Sequence, residues 1–259
     1  MNKKHKIVLI GSGNVAEHLL RAFAKSNSSE IVQLYSRNKE TGSKLAETFG
    51  IDFCNDISKL FEADLYLISV SDSAISELSS SLPFSNRLVA HTSGATNINT
   101  IDSKNSQAVF YPLQTFTKNK KIDFSKIPIC LETTNLNDCK LLTEIAGSIS
   151  KTVQTVTSEQ RQYLHVSAVF VNNFTNHLFH IGKEIADHHN VDFDLLKPLI
   201  AETVEKLNYK TPKDAQTGPA LRGDKNTMEK HLKIIPNKKH REIYRLITES
   251  IFETYNKKW

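Results

Sequence analysis

An apolar run, Lys6-Ile7-Val8-Leu9-Ile10, ends abruptly at two glycines one residue apart, Gly11 and Gly13. An amphipathic pattern begins at once, with Val15, Leu19, Leu20 and Phe23 together at helical spacing. That order predicts a strand, a tight turn and a helix, and the turn has the form G-x-G-x-x-A: Gly11-Ser12-Gly13-Asn14-Val15-Ala16. The first glycine lets the chain turn sharply off the strand. The second has no side chain to hold a pyrophosphate away from the backbone, and the small Ala16 lets helix and strand pack closely. Free N–H groups and the positive end of the helix dipole then face the phosphates. The turn therefore predicts a bound dinucleotide.

A second strand, Glu30 to Asn38, ends in Ser36 and Arg37. A site that prefers NAD usually carries a carboxylate there, accepting hydrogen bonds from the ribose hydroxyls, and that charge would repel a 2′-phosphate. A hydroxyl beside a guanidinium binds the phosphate instead, so NADP is expected rather than NAD. A helix (Lys39 to Phe49) and a short strand (Ile51 to Cys54) follow. The near-continuous apolar run Ala63 to Val70 reads as a strand buried on both faces of a parallel sheet. Its end places Ser69 and Val70 near the bridge between adenosine and nicotinamide, with Asp72 or Ser73 as N-cap of a helix from Ala74 to Ser80.

The strand Arg87 to Ala90 runs into His91-Thr92-Ser93-Gly94-Ala95, a small, polar loop. His91, Thr92 and Ser93 either lie beside the nicotinamide or the substrate, or His91 is a buried ring satisfying loop carbonyls and Ser93 a turn residue. After the strand Ala108 to Phe110, Gln114 and Thr115 are expected to face a ligand and Phe116 to pack. A strand (Ile127 to Glu132), a helix (Asp138 to Ser150) and a strand (Thr152 to Val156) complete a sheet of about eight strands. This alternation predicts a doubly wound parallel α/β domain over residues 1–156.

At 259 residues the chain can hold one large or two modest domains. The net charge of +5 suits an anionic cofactor. It arises partly from lysine clusters at Lys118 to Lys121 and Lys238-Lys239, and no aromatic–basic interleaving points to nucleic acid. Cys54, Cys130 and Cys139 have neither C-x-x-C nor zinc spacing, and the basic start Met1 to His5 is not followed by a signal-peptide pattern. A reducing cytoplasm is expected, and no apolar run approaches the ~18 residues of a membrane span.

From Thr157 the period becomes helical, over residues 157–259. Thr157-x-x-Gln160 reads as a capping box. No proline and only Gly182 interrupts the chain as far as Asn190, a stretch of about 50 Å if helical throughout. Its apolar residues cover more than one face, which predicts burial by neighbours on several sides and hence a homodimer built through this half. At 100° per residue His165, Asn172 and Asn176 point within about 20° of one another, with Asn173 and His177 as an adjoining stripe. Such groups pair with neighbouring helices or line a substrate pocket opposite the nicotinamide. His177 and His180 have no carboxylate at ligand spacing, so no metal is expected. A helix from Asp192 to Asn208 contains Pro198, and a last helix runs from Lys238 to Tyr255. Between them Arg222, in Thr217-Gly218-Pro219-Ala220-Leu221-Arg222-Gly223-Asp224, either binds an anionic group or pairs with Asp224, and Asn226-x-x-Glu229 reads as another capping box.

Taken together and in order, Gly11-Ser12-Gly13-Asn14-Val15-Ala16, His91-Thr92-Ser93-Gly94, Pro112-Leu113-Gln114-Thr115-Phe116, Asn172-Asn173-Phe174 and Thr217-Gly218-Pro219-x-x-Arg222-Gly223-Asp224 carry a resemblance. The chain resembles the Rossmann-like NADP oxidoreductases whose C-terminal half is a domain of unknown function. These are often grouped with deazaflavin-dependent NADP oxidoreductases and are similar in plan to pyrroline-5-carboxylate reductase and 6-phosphogluconate dehydrogenase. The resemblance implies an N-terminal NADP domain, an all-helical C-terminal domain of the 6-phosphogluconate dehydrogenase type, and a dimer. Two departures stand out. Tyr111 occupies a position where many relatives have His, and the Lys-x-x-x-Asn pair of the β-hydroxyacid dehydrogenases is replaced by His165 and asparagines, with Lys183 only later.

The expected activity is hydride transfer between NADP and a small C=O or C=N substrate held between the domains. His165 would give or take the proton, and Asn172 and Asn176 would position substrate. Gln114, Thr115, Asn173, His177 and Arg222 are the further substrate contacts expected. A deazaflavin is a third candidate hydride donor, and a non-catalytic NADP-binding sensor or assembly protein is the alternative reading.

Overall fold

The computed structural model describes residues 4–118 and 120–256; Met1 to Lys3 of the basic start, Asn119 of the lysine cluster and residues 257–259 lie outside the described residues. The chain forms two compact units that divide between Ser167 and Ala168. The sequence places the division after Val156, but the first turns of the next helix belong with the first unit, where Arg161 ties them to the sheet and its loops.

The first unit is built on one sheet: β1 (His5–Ile10), β2 (Ser29–Tyr35), β3 (Asp52–Cys54), β4 (Leu65–Ile68), β5 (Leu88–His91), β6 (Ser106–Pro112), β7 (Ile129–Thr133) and β8 (Val153–Thr155), in the order β3-β2-β1-β4-β5-β6-β7-β8. The helices between them are α1 (Asn14–Phe23), α2 (Lys39–Phe49), α3 (Ile75–Ser80) and α4 (Leu136–Gly147). Ile7 and Leu9 pack with Leu19, Leu20 and Phe23 of α1 on one face. Val8 and Ile10 pack with Tyr66, Ile68 and Ile75 on the other. Both faces of β1 and β4 are thus covered, as their continuous apolar runs predict. The strand order reverses between β1 and β4, and that reversal opens a crevice beyond the carboxyl ends of these strands.

Three expectations need correction. The sheet is parallel from β3 through to β6, but β7 runs antiparallel to β6 and β8 parallel to β7. A parallel β6–β7 pair would need a crossover, usually a helix, whereas among its described residues the link holds only a 3₁₀ turn at Phe124–Lys126. Neither Asp72 nor Ser73 caps a helix, because both lie inside a 3₁₀ turn, Asp72–Ala74, that leads into α3. The Asn226/Glu229 box is replaced by Asp224, whose carboxylate accepts from the Thr227 N–H at 3.1 Å. The Thr157/Gln160 box is present in both directions: Thr157 N–H to Gln160 Oε1 at 2.9 Å and Gln160 N–H to Thr157 Oγ1 at 3.2 Å.

That box opens α5 (Ser158–Ala168), which passes into a π-helical segment, Val169–Phe174, and then α6 (Thr175–His188). The π segment overturns the alignment of His165 with Asn172 and Asn176, since the 100° progression does not hold across six π residues. After a 3₁₀ turn come α7 (Lys197–Glu205), with Pro198 in its first turn, then α8 (Pro212–Ala215), α9 (Pro219–Arg222), α10 (Lys225–Ile234) and α11 (Lys238–Asn256). In this second unit the apolar side chains are largely uncovered by the chain itself: Phe170, Val171, Phe174, Leu178, Leu195 and Leu199 are all exposed. No helix among the described residues is long and apolar enough to cross a membrane.

Candidate functional site

The two turn glycines serve different purposes. Gly11 has φ +124°, and a side chain there would collide with the Ser69 carbonyl at the end of β4, so the fold itself demands glycine. Gly13 has φ −82°, and a Cβ on it would meet no protein atom within 4 Å. Nothing in the protein asks for glycine at that position; only a ligand lying against the backbone would. Gly13 is also the N-cap of α1 and offers no side chain to its first N–H groups, which remain available to an anion.

Around this turn lies a cleft of about 650 Å³ at the crevice defined by the strand order. Gly11, Ser12, Gly13, Asn14, Val15, Ser36, Arg37, Ser69, Val70, Gln114 and Thr115 line it, as their sequence positions predict. Ala16 is fully buried behind the turn, where close packing requires a small residue. No Asp or Glu lines the cleft. At the end of β2 the Ser12 hydroxyl meets those of Ser36 (2.9 Å) and Thr41 (3.3 Å). Arg37 is exposed beside them and makes no ion pair among the described residues. Asn38, missed in the sequence reading as a lining residue, caps α2 through the Thr41 N–H. The 113–117 loop is tied to α1: Asn14 Nδ2 donates to the Phe116 carbonyl (3.1 Å), and His18 Nε2 lies 2.9 Å from the Thr117 carbonyl. Phe116 packs against the His18 and Phe124 rings, as expected, and also lines the cleft.

The loop after β5 departs from one of the two expectations. His91 is fully buried, the Ser93 N–H donates to its Nδ1 (3.2 Å), and its Nε2 faces the Asn97 carbonyl at 3.4 Å. With Nδ1 accepting, the proton sits on Nε2. Burial, and secondly the Arg161 charge, push its pKa down from 6.5 to about 4. His91 is therefore neutral at pH 7 and spent on the loop, and it does not line the cleft. Ser93 likewise turns its hydroxyl to the N–H groups of Ala95 and Thr96. Thr92, between them, is the one of the three expected loop residues that lines the cleft.

The depressed His91 value has a measurable consequence. Between pH 6.5 and about 4 the unfolded chain binds a proton that the folded chain refuses, so stability falls as pH falls through that window. The loss develops to about 3 kcal/mol below the folded pKa. Urea unfolding of His91→Asn at pH 7 and pH 4.5 should show a shallower pH dependence than wild type; equal slopes would contradict the assignment.

Beneath this loop lies an arrangement the sequence reading missed. His91, Val109 and Glu132 are successive cross-strand neighbours on β5, β6 and β7. The side chain of Arg161, on α5, has no exposed surface and binds across that row. Its Nε and one NH₂ group donate to Glu132 Oε2 (3.2 and 3.0 Å), and the other donates to the carbonyls of Ser93 (3.3 Å) and Gly94 (2.9 Å). Ser158 supplies Glu132 Oε1 with a hydrogen bond at 2.6 Å. One turn further along α5, His165 Nδ1 lies 3.3 Å from the Tyr111 hydroxyl. Gly94 is pressed against both rings, leaving no room for a Cβ. Burial raises the Tyr111 pKa, so its phenol stays protonated at neutral pH.

The remaining predicted residues belong to the second unit. Asn172, Asn173, Asn176, His177 and Arg222 lie there, and the three asparagines and His177 are at least partly open to solvent. Asp224 is held below the usual carboxylate range by Thr227, with Arg222 a smaller influence, and no Arg222–Asp224 ion pair forms. Contrary to the sequence expectation, His180 does have a carboxylate at helical spacing: Glu184 lies 3.5 Å from both His180 and His240, though the described residues contain no group of three side chains that could hold a metal.

A doubly wound sheet with a glycine turn at its switch point defines a Rossmann-type dinucleotide-binding protein. Residues 6–93 match a family model described as NADP oxidoreductase, coenzyme F420-dependent, and residues 127–251 match one described as a domain of unknown function, DUF2520. A solved structure of BF3122 from Bacteroides fragilis, provisionally named an NADP oxidoreductase, is 37% identical, with TM-score 0.86 over 96% of this chain and 98% of that one. The chain belongs to this NADP oxidoreductase family, which joins a Rossmann domain to a DUF2520 domain. The fold is shared at lower identity by TM1727 of Thermotoga maritima (21%, TM-score 0.77, 95% of this chain and 99% of that one). It is shared also by an imine reductase of Myxococcus stipitatus solved with NADP⁺ (13%, TM-score 0.63, 97% and 93%). A curated shikimate dehydrogenase-like protein of Haemophilus influenzae is 34% identical over 71 residues, which span 27% of this chain and 25% of that one.

Proposed function

We propose that the protein is an NADP-dependent oxidoreductase acting on a small C=O or C=N compound. The observation that carries the reading is Gly13, bare at the mouth of the cleft with no protein atom to require it. Gly11 to Val15 would hold the pyrophosphate, and Ser12, Ser36, Thr41 and Arg37 the 2′-phosphate, with no carboxylate lining the cleft to repel it. The nicotinamide, when bound, supplies or accepts hydride. The protein's own part is the proton. His165 would give its Nε2 proton to the atom that gains negative charge while its Nδ1, 3.3 Å from the Tyr111 hydroxyl, takes the phenol's proton in exchange. The neighbouring π segment is a local irregularity of the kind often found at functional sites.

The test is a fluorescence titration with NADPH and NADH, followed by a turnover screen over keto acids, imines and a deazaflavin, the last because the matching family carries coenzyme F420 in its name. NADPH should bind more tightly than NADH, and Arg37→Ala should reduce that preference by about ten- to a hundredfold while leaving NADH nearly unchanged. Equal binding of the two by wild type, or no binding of either, would overturn the reading.

We further propose that a second copy of the chain covers the exposed apolar side chains of the helical unit. The number of large apolar side chains exposed in this unit supports a homodimer.

A further inference from the structure

We propose that Arg161 is a positioning residue for the nicotinamide half of the cleft, acting through the carbonyls of Ser93 and Gly94. The inference rests on the reading of the cleft as an NADP site. Arg161 does not line that cleft, and its side chain is wholly buried. A buried arginine–carboxylate pair contributes little net stability compared with well-packed apolar side chains. What a leucine cannot do is grip the Ser93 and Gly94 carbonyls, which lie past the end of the β4–β5 ladder. The planar guanidinium does so with one edge while Glu132 holds the other.

The loop so gripped carries Thr92, whose N–H also donates to the Ile68 carbonyl at 3.1 Å and which faces the cleft. Thr92 sits on the β4–β5 side of the strand reversal, whereas Ser12, Ser36 and Arg37 sit on the β1–β2 side. In a doubly wound sheet the two halves of a dinucleotide divide across that point. Disturbing Arg161 therefore loosens the wall for one half of the ligand and leaves the other half's contacts in place.

Two probes separate the halves: NADPH, and 2′,5′-ADP, which contains only the adenosine end. Calorimetric titration of wild type, Arg161→Lys and Glu132→Gln reads the effect, with melting curves run in parallel. Lysine keeps the charge but cannot span both carbonyls and Glu132. Arg161→Lys should weaken NADPH about tenfold and 2′,5′-ADP less than about twofold. Glu132→Gln should shift the same ratio in the same direction, and serves alone if the lysine variant does not fold. Equal weakening of both probes, or unchanged NADPH affinity, overturns the proposal. If wild type binds neither probe, the NADP reading itself has failed and the proposal goes with it; if wild type binds both and only the predicted ratio fails, the NADP reading stands.

Discussion

Gly13→Val should fold with close to the wild-type melting temperature and bind no detectable NADPH. A Cβ there meets no protein atom within 4 Å, at an ordinary backbone angle, so the main cost to folding is a weaker N-cap, about 1 kcal/mol. That same space is where a pyrophosphate would rest on the backbone N–H groups, and a branched side chain holds it off. Gly11→Ala makes the contrast. There the added methyl meets the Ser69 carbonyl, at a φ that L-residues rarely adopt, and a loss of about 2–4 kcal/mol in stability is expected. Thermal melts and NADPH titrations of the two variants should therefore separate cleanly, one losing binding and the other stability. A Gly13→Val protein that binds NADPH as wild type does would remove the main support for the cofactor reading.

The second large effect concerns assembly. Sedimentation at micromolar concentration should give twice the mass of one chain, and Phe174→Glu should give the mass of one chain with unchanged helix content. Val171 is 74% exposed, Phe170 63% and Phe174 49%. Exposed apolar side chains in such number along one stretch mark a protein–protein contact far more often than an ordinary surface. A carboxylate forced into that contact would lose its hydration without a partner, weakening association by about a hundredfold or more. A wild-type protein that sediments as one chain would overturn the dimer.

How far the sequence reached can be judged element by element. The strand–turn–helix at Gly11, the helix Lys39–Phe49 and the buried runs of β1 and β4 follow from periodicity and from what glycine alone permits. That Gly11 to Val15, Ser36, Arg37, Ser69 and Val70 line the cleft was legible for the same reason: a cleft at a strand's carboxyl end is fixed by local chain geometry. The direction of β7 was not legible from its own residues, because alternation looks alike in either direction; the missing signal was the lack of a helical pattern between Leu113 and Pro128. The π segment escaped because a phase computed at 100° per residue assumes its own regularity. Arg161 escaped because Ser158-Glu159-Gln160-Arg161-Gln162 reads as a solvated helix start. Its burial depends on Glu132, twenty-nine positions earlier, which only the folded sheet brings near.

The reversal of β7 and β8 also dictates where this protein can be divided. Because those two strands run backwards, the chain leaves β8 at Thr155 heading away from the crevice, and α5 turns back past Glu132 toward Tyr111. The opening turns of α5 are thus an outer brace of the first unit rather than the start of the second. A first unit excised at Val156 would leave Glu132 facing water and the loop after β5 without its tether, whereas one carried through to Ser167 keeps both.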